Sequence, residues 1–446
     1  MRKLFGTDGV RGKTNVYPLT GDVAFRLGQA IVLTFKGKNR MKVIIGKDTR
    51  KSGYIFESAL TSGLCSMGAN VYLVGPMPTP AIAHLVRSFA ADAGIVISAS
   101  HNPAGDNGIK FFDRKGYKLP DDVEAKIETL VLENKMSAEN VKIEDVGSAF
   151  RIDDAQGRYI EFAKGSVGNM SLSGLKIVLD SAHGAAYKVA PLIFSELGAD
   201  VLSYNNKPDG LNINKECGAL YPDVLKSLVL GNHADVGISL DGDADRVIMV
   251  DEKGNILDGD RIMLVCAEFM KKNKTLKKNV VVGTVMSNMG FEKKLGENGI
   301  NFLRTKVGDR YVIEEMRKND YNIGGEQAGH IVLSDYNTTG DGTVTALQVL
   351  SIMKKSKKKL SELGNFESFP QILTNIEVKE KKPIEKLKCK KIIQESEKEL
   401  GSNGRILVRY SGTENKCRVM IEGKEEDLIK KHSSIITKAI KQEIGK

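Results

Sequence analysis

The feature that most constrains this 446-residue sequence is a plan repeated three times. Each copy opens with a short apolar run: Val43-Ile44-Ile45-Gly46, Ile177-Val178-Leu179-Asp180 and Val280-Val281-Val282-Gly283. β-Branched runs of this length, bounded by Gly or Asp, predict buried parallel strands. A helix-like segment follows, then a Gly and a second strand beginning at Val71, Val201 or Phe302. The strand starts are spaced to leave room for one crossover helix, so each copy predicts a βαβ unit. A third strand follows. Ala91-Asp92-Ala93-Gly94-Ile95 and Ala234-Asp235-Val236-Gly237-Ile238 differ at one position, and Tyr321-Asn322-Ile323-Gly324-Gly325 is a fainter echo. Each runs into a polar loop, and in open α/β sheets ligands gather at the carboxyl ends of strands.

The tail departs from this plan. Arg405 to Arg409 and Cys417 to Glu422 predict strands around a Ser-Gly-Thr-Glu turn. A helix is expected from about Glu425, with Leu428, His432, Ile435, Ile436, Ala439, Ile440 and Ile444 on its apolar face. The expected fold is α/β with four domains: three related mixed α/β domains (1–153, 154–256, 257–368) and a C-terminal α+β domain (369–446).

Charge admits two readings. Lys and Arg outnumber Asp and Glu by 66 to 56, a formal +10, which could mark a nucleic-acid partner or a lysine-rich surface. Aromatics are only 6% and do not interleave with basic runs, and the densest cluster, Lys354 to Lys359, lies outside every loop discussed below. No nucleic-acid partner is therefore expected. The five cysteines are scattered with no CxxC, which fits a reducing compartment. Met1 to Gly12 holds no apolar signal core, and no apolar run nears the ~20 residues of a membrane span. A cytoplasmic protein without a membrane partner is the expectation.

Four loops carry chemistry. In Asp241-Gly242-Asp243-Ala244-Asp245-Arg246, carboxylates at alternate positions point one way from an extended chain and suit a hard cation, Mg²⁺ or Ca²⁺. Arg246 replaces the Gly of an EF-hand and the flanks read as strands, which leaves a solvated acidic turn as the alternative. Ser98-Ala99-Ser100-His101-Asn102-Pro103, followed by Asp106-Asn107-Gly108-Ile109-Lys110, offers a nucleophile or simply a capped polar loop. Gly324-Gly325-Glu326-Gln327-Ala328-Gly329-His330 could grip hydroxyls. Arg409-Tyr410-Ser411-Gly412-Thr413-Glu414-Asn415 with Arg418 suits a phosphate cradle, or a salt-bridged hairpin. Together they describe phosphoryl transfer on a phosphorylated polyol.

At these residues the sequence resembles the α-D-phosphohexomutases. Lys3-Leu4-Phe5-Gly6-Thr7-Asp8-Gly9-Val10-Arg11-Gly12, Ile97 to Phe112 and Tyr336-Asn337-Thr338-Thr339-Gly340-Asp341-Gly342 carry the likeness, with the motifs in family order along essentially the whole chain. The resemblance implies four domains around a central cleft and an isomerase acting by intramolecular phosphoryl transfer. It implies that Ser100 carries a phosphoryl group, and that Asp241, Asp243, Asp245 and a phosphoserine oxygen on Ser100 hold Mg²⁺. Arg11, His101, Lys110 and Arg246 would line the transfer centre, with Lys110 as acid/base. Glu326 and His330 would bind the sugar. Arg409, Ser411, Gly412, Thr413 and Arg418 would clamp the non-reacting phosphate. The implied reaction interconverts glucosamine 6-phosphate and glucosamine 1-phosphate, on the route to UDP-N-acetylglucosamine and peptidoglycan. A bisphosphorylated hexose (glucosamine or glucose 1,6-bisphosphate) would be the activator, and a homodimer is compatible with the family. Glucose or mannose phosphates are the alternative substrates, and non-catalytic phosphosugar binding is the alternative of another class. Ala328 stands where the family commonly has Ser, which removes a hydroxyl that could bond the sugar. His183, after the second copy's first strand, is expected to have a structural role.

Overall fold

The computed structural model describes all residues except 1–3, 7, 36, 38, 135, 137, 139, 140 and 412–414. Among the described residues, eighteen strands fall into four sheets. The first contains β1 (Val10–Lys13), β2 (Lys42–Lys47), β3 (Asn70–Pro76), β4 (Ala93–Ile97), β5 (Asp106–Asp113) and β6 (Ala149–Arg151). The second contains β7 (Lys176–Asp180), β8 (Asp200–Tyr204), β9 (Val236–Leu240), β10 (Val247–Asp251) and β11 (Ile256–Leu257). The third contains β12 (Val280–Thr284), β13 (Asn301–Thr305), β14 (Ile323–Gly325) and β15 (Ile331–Leu333). The last contains β16 (Gln371–Glu377), β17 (Gly404–Tyr410) and β18 (Lys416–Gly423).

The strand orders establish the repeats. They are β1-β5-β4-β2-β3-β6, β11-β10-β9-β7-β8 and, read from its far edge, β15-β14-β12-β13. Within each, the order fourth–third–first–second strand recurs. The first strand lies parallel to the third, and the fourth returns antiparallel. In every copy one helix separates the first and second strands and another separates the second and third: Gly53–Ser66 and Thr79–Ser88, Val189–Glu196 and Pro222–Asn232, Met289–Glu297 and Asp309–Asn319. The third strands of the first two copies are buried throughout, as near-continuous apolar runs covered on both faces should be.

The chain divides into two compact units: residues 1–284 with 303–365, and residues 285–302 with 366–446. In the second unit the antiparallel sheet, ordered β16-β18-β17, packs its apolar face on the helix Glu426–Ile444. Ile376, Val419, Ile421, Ile429, Ile436 and Ile440 form the centre of this core. Ile435 departs from the expected helix face and is 41% exposed. Successive helical residues diverge by about 100°, so the neighbouring pair Ile435-Ile436 cannot point inward together. Glu422 is fully buried here and is paired with Arg405 at 2.6 Å, and it also accepts the Met289 N–H. Among the described residues, no helix is long and apolar enough to cross a membrane.

Candidate active site

The segment from Ser98 to Lys110 leaves the carboxyl end of β4 and returns as β5. Its backbone is shaped around Arg50, a side chain buried completely with its partner Asp48. The Arg50 guanidinium donates to the carbonyls of Ser100 (3.0 Å), Asn102 (2.8 Å), Asp106 (3.1 Å) and Pro103. Asp48 accepts from Arg50 Nε (2.8 Å) and from Ser98 Oγ (2.6 Å), and Ser98 Oγ in turn accepts the Ser100 N–H. From the second sheet's connections, Asn214 Nδ2 donates to the Ser100 carbonyl at 2.8 Å. Ser100 is held at φ +53°, a conformation costly for a residue with a Cβ and maintained only where the surroundings over-determine it.

That backbone turns Ser100 Oγ onto the acidic loop after β9, where it donates to Asp241 Oδ2 at 2.6 Å. The two loops approach closely because residue 242 is Gly: a Cβ there would stand 2.5 Å from the Ser100 carbonyl oxygen. Asp241, Asp243 and Asp245 are all buried and can bring one oxygen each within 4.8 Å of the others. Asp243 Oδ2 accepts from Lys110 Nζ (2.8 Å) and Thr79 Oγ1 (2.6 Å). Asp243 Oδ1 and Asp245 Oδ1 are buried without a hydrogen-bond partner. Three converging carboxylates with two orphaned oxygens fit a hard divalent cation.

Charge is shared unevenly across this cluster. Burial, then Asp245 and Asp243, push the Asp241 carboxyl well above the usual carboxylate range. Burial opposes charge on Asp243 too, but Lys110 outweighs it and holds that carboxyl low. Burial likewise opposes charge on Lys110, and Asp243, Asp8 and Asp245 override it, so the ammonium stays protonated. Arg11 pairs with Asp8, whose carboxylate also faces Lys110 at 3.2 Å. His101 Nδ1 lies 3.5 Å from Ser100 Oγ; burial, then Arg246 and Arg11, lower its pKa to about 4 and leave it neutral near pH 7.

Glu326 and His330 belong to the β14–β15 connection of the same unit. Glu326 Oε1 accepts the Gly308 N–H at 3.0 Å. His330 and Arg246 form an isolated antiparallel bridge, which brings this loop to the acidic one. The His330 ring lies 3.5 Å from Asp309 and 4.0 Å from Asp245, and neither ring nitrogen makes a hydrogen bond. Gly340 packs on the ring so closely that a Cβ there would come within 2.5 Å. One unit thus gathers Arg11, Ser100, His101, Lys110, Asp241, Asp243, Asp245, Arg246, Glu326 and His330.

Arg409, Ser411 and Arg418 lie in the second unit. Arg409 and Arg418 are directly opposite on β17 and β18. Burial, then the charge of Arg418, lower the Arg409 pKa. Lys381 Nζ donates to the Ser411 carbonyl at 2.7 Å. Gly412 and Thr413 lie outside the described residues, as do Lys3 and Thr7.

Sequence reasoning missed Asp48, Arg50, Thr79, Asn214, Asp8, Lys118 and Asp309. A signal existed for two of them: Asp48 and Arg50 follow the carboxyl end of β2, the kind of edge that flagged the other loops. His183 follows the first strand of the second copy. It has φ +48°, and its Nδ1 accepts from the Lys207 N–H while its carbonyl accepts from Thr49 Oγ1.

Models of the phosphoglucomutase/phosphomannomutase family match in order: alpha/beta/alpha domain I at residues 2–138, domain II at 157–254, domain III at 258–368 and the C-terminal domain at 373–438. A relative from Geobacter sp. (strain M21), named phosphoglucosamine mutase, is 53% identical over 449 aligned positions, covering 100% of this chain and 99% of its own. The solved phosphoglucomutase/phosphomannomutase family protein of Burkholderia thailandensis shares the fold with a TM-score of 0.80 at 23% identity, over 99% of this chain and 98% of its own. The Aspergillus fumigatus N-acetylphosphoglucosamine mutase, solved with GlcNAc-6P and magnesium, has a TM-score of 0.69 at 18% identity, over 99% of this chain and 96% of its own. With all four family segments present in order and a full-length relative above half identity, the chain belongs to the phosphoglucomutase/phosphomannomutase family.

Proposed function

We propose that this chain is an enzyme that interconverts glucosamine 6-phosphate and glucosamine 1-phosphate by intramolecular phosphoryl transfer. The observation that carries the reading is the Ser100 hydroxyl, fixed 2.6 Å from Asp241 at the rim of a buried three-carboxylate cluster. Full-length relatives named phosphoglucosamine mutase support the choice of sugar.

Ser100 Oγ carries the phosphoryl group. It passes that group to the free hydroxyl of the sugar phosphate and takes the sugar's other phosphoryl group back after the bisphosphate has turned over. The first transfer breaks the P–O bond to Ser100 and forms one to the sugar oxygen. The proton lost by the sugar hydroxyl must end on Ser100 Oγ. Lys110 enters as an ammonium, so its first act is to donate, and neutral His101 at 3.5 Å is the second group able to relay the proton. Arg11 and Arg246 place fixed positive charge around the transferring group. Asp241, Asp243, Asp245 and an oxygen of phosphorylated Ser100 would hold Mg²⁺, which supplies charge neutralisation when bound.

Glu326 and His330 bind the sugar hydroxyls. Arg409, Ser411, Gly412, Thr413 and Arg418 take the non-reacting phosphate, whose two orientations call for Arg forks. The segments 1–153, 154–256, 257–368 and 369–446 then divide the work as phosphoserine, metal, sugar and phosphate domains. A 1,6-bisphosphate of glucosamine or glucose acts as activator. The enzyme works in the cytoplasm, upstream of UDP-N-acetylglucosamine and peptidoglycan.

The test is kcat/KM on the 1-phosphates of glucosamine, glucose and mannose. Glucosamine 1-phosphate is expected to be best. A higher value for glucose or mannose would make the enzyme a phosphoglucomutase/phosphomannomutase, and no turnover of any would leave a binding protein.

A further inference from the structure

Lys118 has no part in the reading above, yet it is buried where the first and third repeats meet. It follows β5, is tied back to Phe112 by an antiparallel bridge, and its side chain is 8% exposed. Its ammonium lies between two carboxylates, Asp8 Oδ1 at 2.5 Å and Asp309 Oδ2. Each carboxylate faces onward to a different part of the site. Asp8 meets Arg11 and Lys110. Asp309, the first residue of its helix, lies 3.5 Å from His330 Nε2. A continuous line of ionisable side chains therefore runs from His330 through Asp309, Lys118 and Asp8 to Lys110.

The surroundings of Lys118 form a joint. Arg310, next to Asp309, reaches Glu124 (2.9 Å) and Asp121. Arg317 lies over the Tyr117 ring at 3.9 Å, and Thr338 Oγ1 donates to the Gly116 carbonyl at 2.5 Å. These contacts dock the two repeats whatever residue 118 is. What Lys118 adds is the charge that lets two acidic groups stand on either side of it. Burial works against that ammonium, and Asp309 and Asp8 keep it protonated.

We propose that Lys118 is a positioning residue: by neutralising Asp309 it fixes the Asp309–His330 pair in register with the phosphoryl-transfer groups. The inference rests on the reading of His330 as a sugar ligand. Removing one partner of a buried pair leaves an uncompensated charge, whereas removing both is often close to neutral. Lys118→Met therefore strands Asp309, while Asp8 keeps Arg11 and Lys110. Sugar binding should suffer more than the chemical step.

The experiment is steady-state kinetics of the full chain with glucosamine 6-phosphate and activating bisphosphate, on wild type, Lys118→Met, Lys118→Arg and the double variant Lys118→Met/Asp309→Asn. Lys118→Met should raise KM about tenfold and change kcat by less than about threefold, and the double variant should recover most of the loss. A merely structural joint would lower the melting midpoint without raising KM ahead of kcat. A Lys118→Met enzyme with wild-type KM, or a double variant no better than the single, overturns the proposal. If Lys118→Met does not fold, Lys118→Arg decides: its displaced fork should raise KM at an unchanged melting midpoint, and a wild-type KM would overturn the assignment. Wild type without turnover would overturn the functional reading as well, whereas a normal wild type with an unresponsive position 118 overturns only the role of Lys118.

Discussion

The Ser100 centre and the β17–β18 hairpin both gather charge, but they arrange it in opposite ways. Around Ser100, cations and carboxylates alternate: Arg50 with Asp48, Lys110 with Asp243, Arg11 with Asp8. Each of these three cations has a carboxylate partner, and the groups are nearly all buried. On the hairpin, Arg409 and Arg418 carry the same sign directly across an antiparallel pair, an arrangement that costs stability by itself. An anion between two guanidinium groups relieves that cost through forked, charge-assisted hydrogen bonds. Opposite charges alternate in the first region, and like charges face each other in the second.

This contrast can be broken at several points. Ser100→Ala should lower turnover by at least about a thousandfold while Mg²⁺ binding by calorimetry remains measurable. Surviving turnover would remove the phosphoserine from the scheme. Arg50→Met should destabilise the protein by about 3–5 kcal/mol in urea unfolding, because it leaves Asp48 buried without its cation. A loss below about 1 kcal/mol would mean that the loop is not ordered from within. Arg418→Gln should raise KM about tenfold and shrink the rise in melting midpoint that inorganic phosphate gives the wild type. An undiminished phosphate response would place the anion elsewhere.

The smallest effect concerns acid stability. His84 stacks on Phe162 at 3.9 Å, and burial, then Arg87 and Arg158, lower its pKa to about 4. Unfolded histidine binds its proton near pH 6.5. As pH falls from about 6.5 to about 4, the unfolded chain takes up a proton that the native state refuses, and stability is lost over that window. His84→Leu should flatten the stability profile there, and an unchanged slope would refute the assignment.

What the sequence made legible was periodic or local. The three copies were readable because their strands recur at crossover spacing, and the acidic loop because its carboxylates alternate within five residues. The arrangement around Arg50 was not, since its partners at Ser100, Asn102 and Asp106 lie some fifty residues away and no local pattern marks them. Lys118 and Asp309 were hidden for the same reason: their relation exists only across 191 positions of chain. Ile435 shows the opposite limit, where an apolar pair fits the helical period approximately and only packing selects which member turns inward.

The hydrogen bond from Ser100 to Asp241 spans 141 residues of sequence, and the one from Asn214 spans 114. At roughly 5–20 residues per second, a ribosome takes about 7–28 s to cover the longer gap. Arg50, Asp48 and Ser98 can order the loop as soon as the first repeat folds, but the hydroxyl lacks its carboxylate until the second repeat has emerged. During synthesis, then, the order of the repeats acts as a timer: Ser100 is made early and meets its carboxylate late.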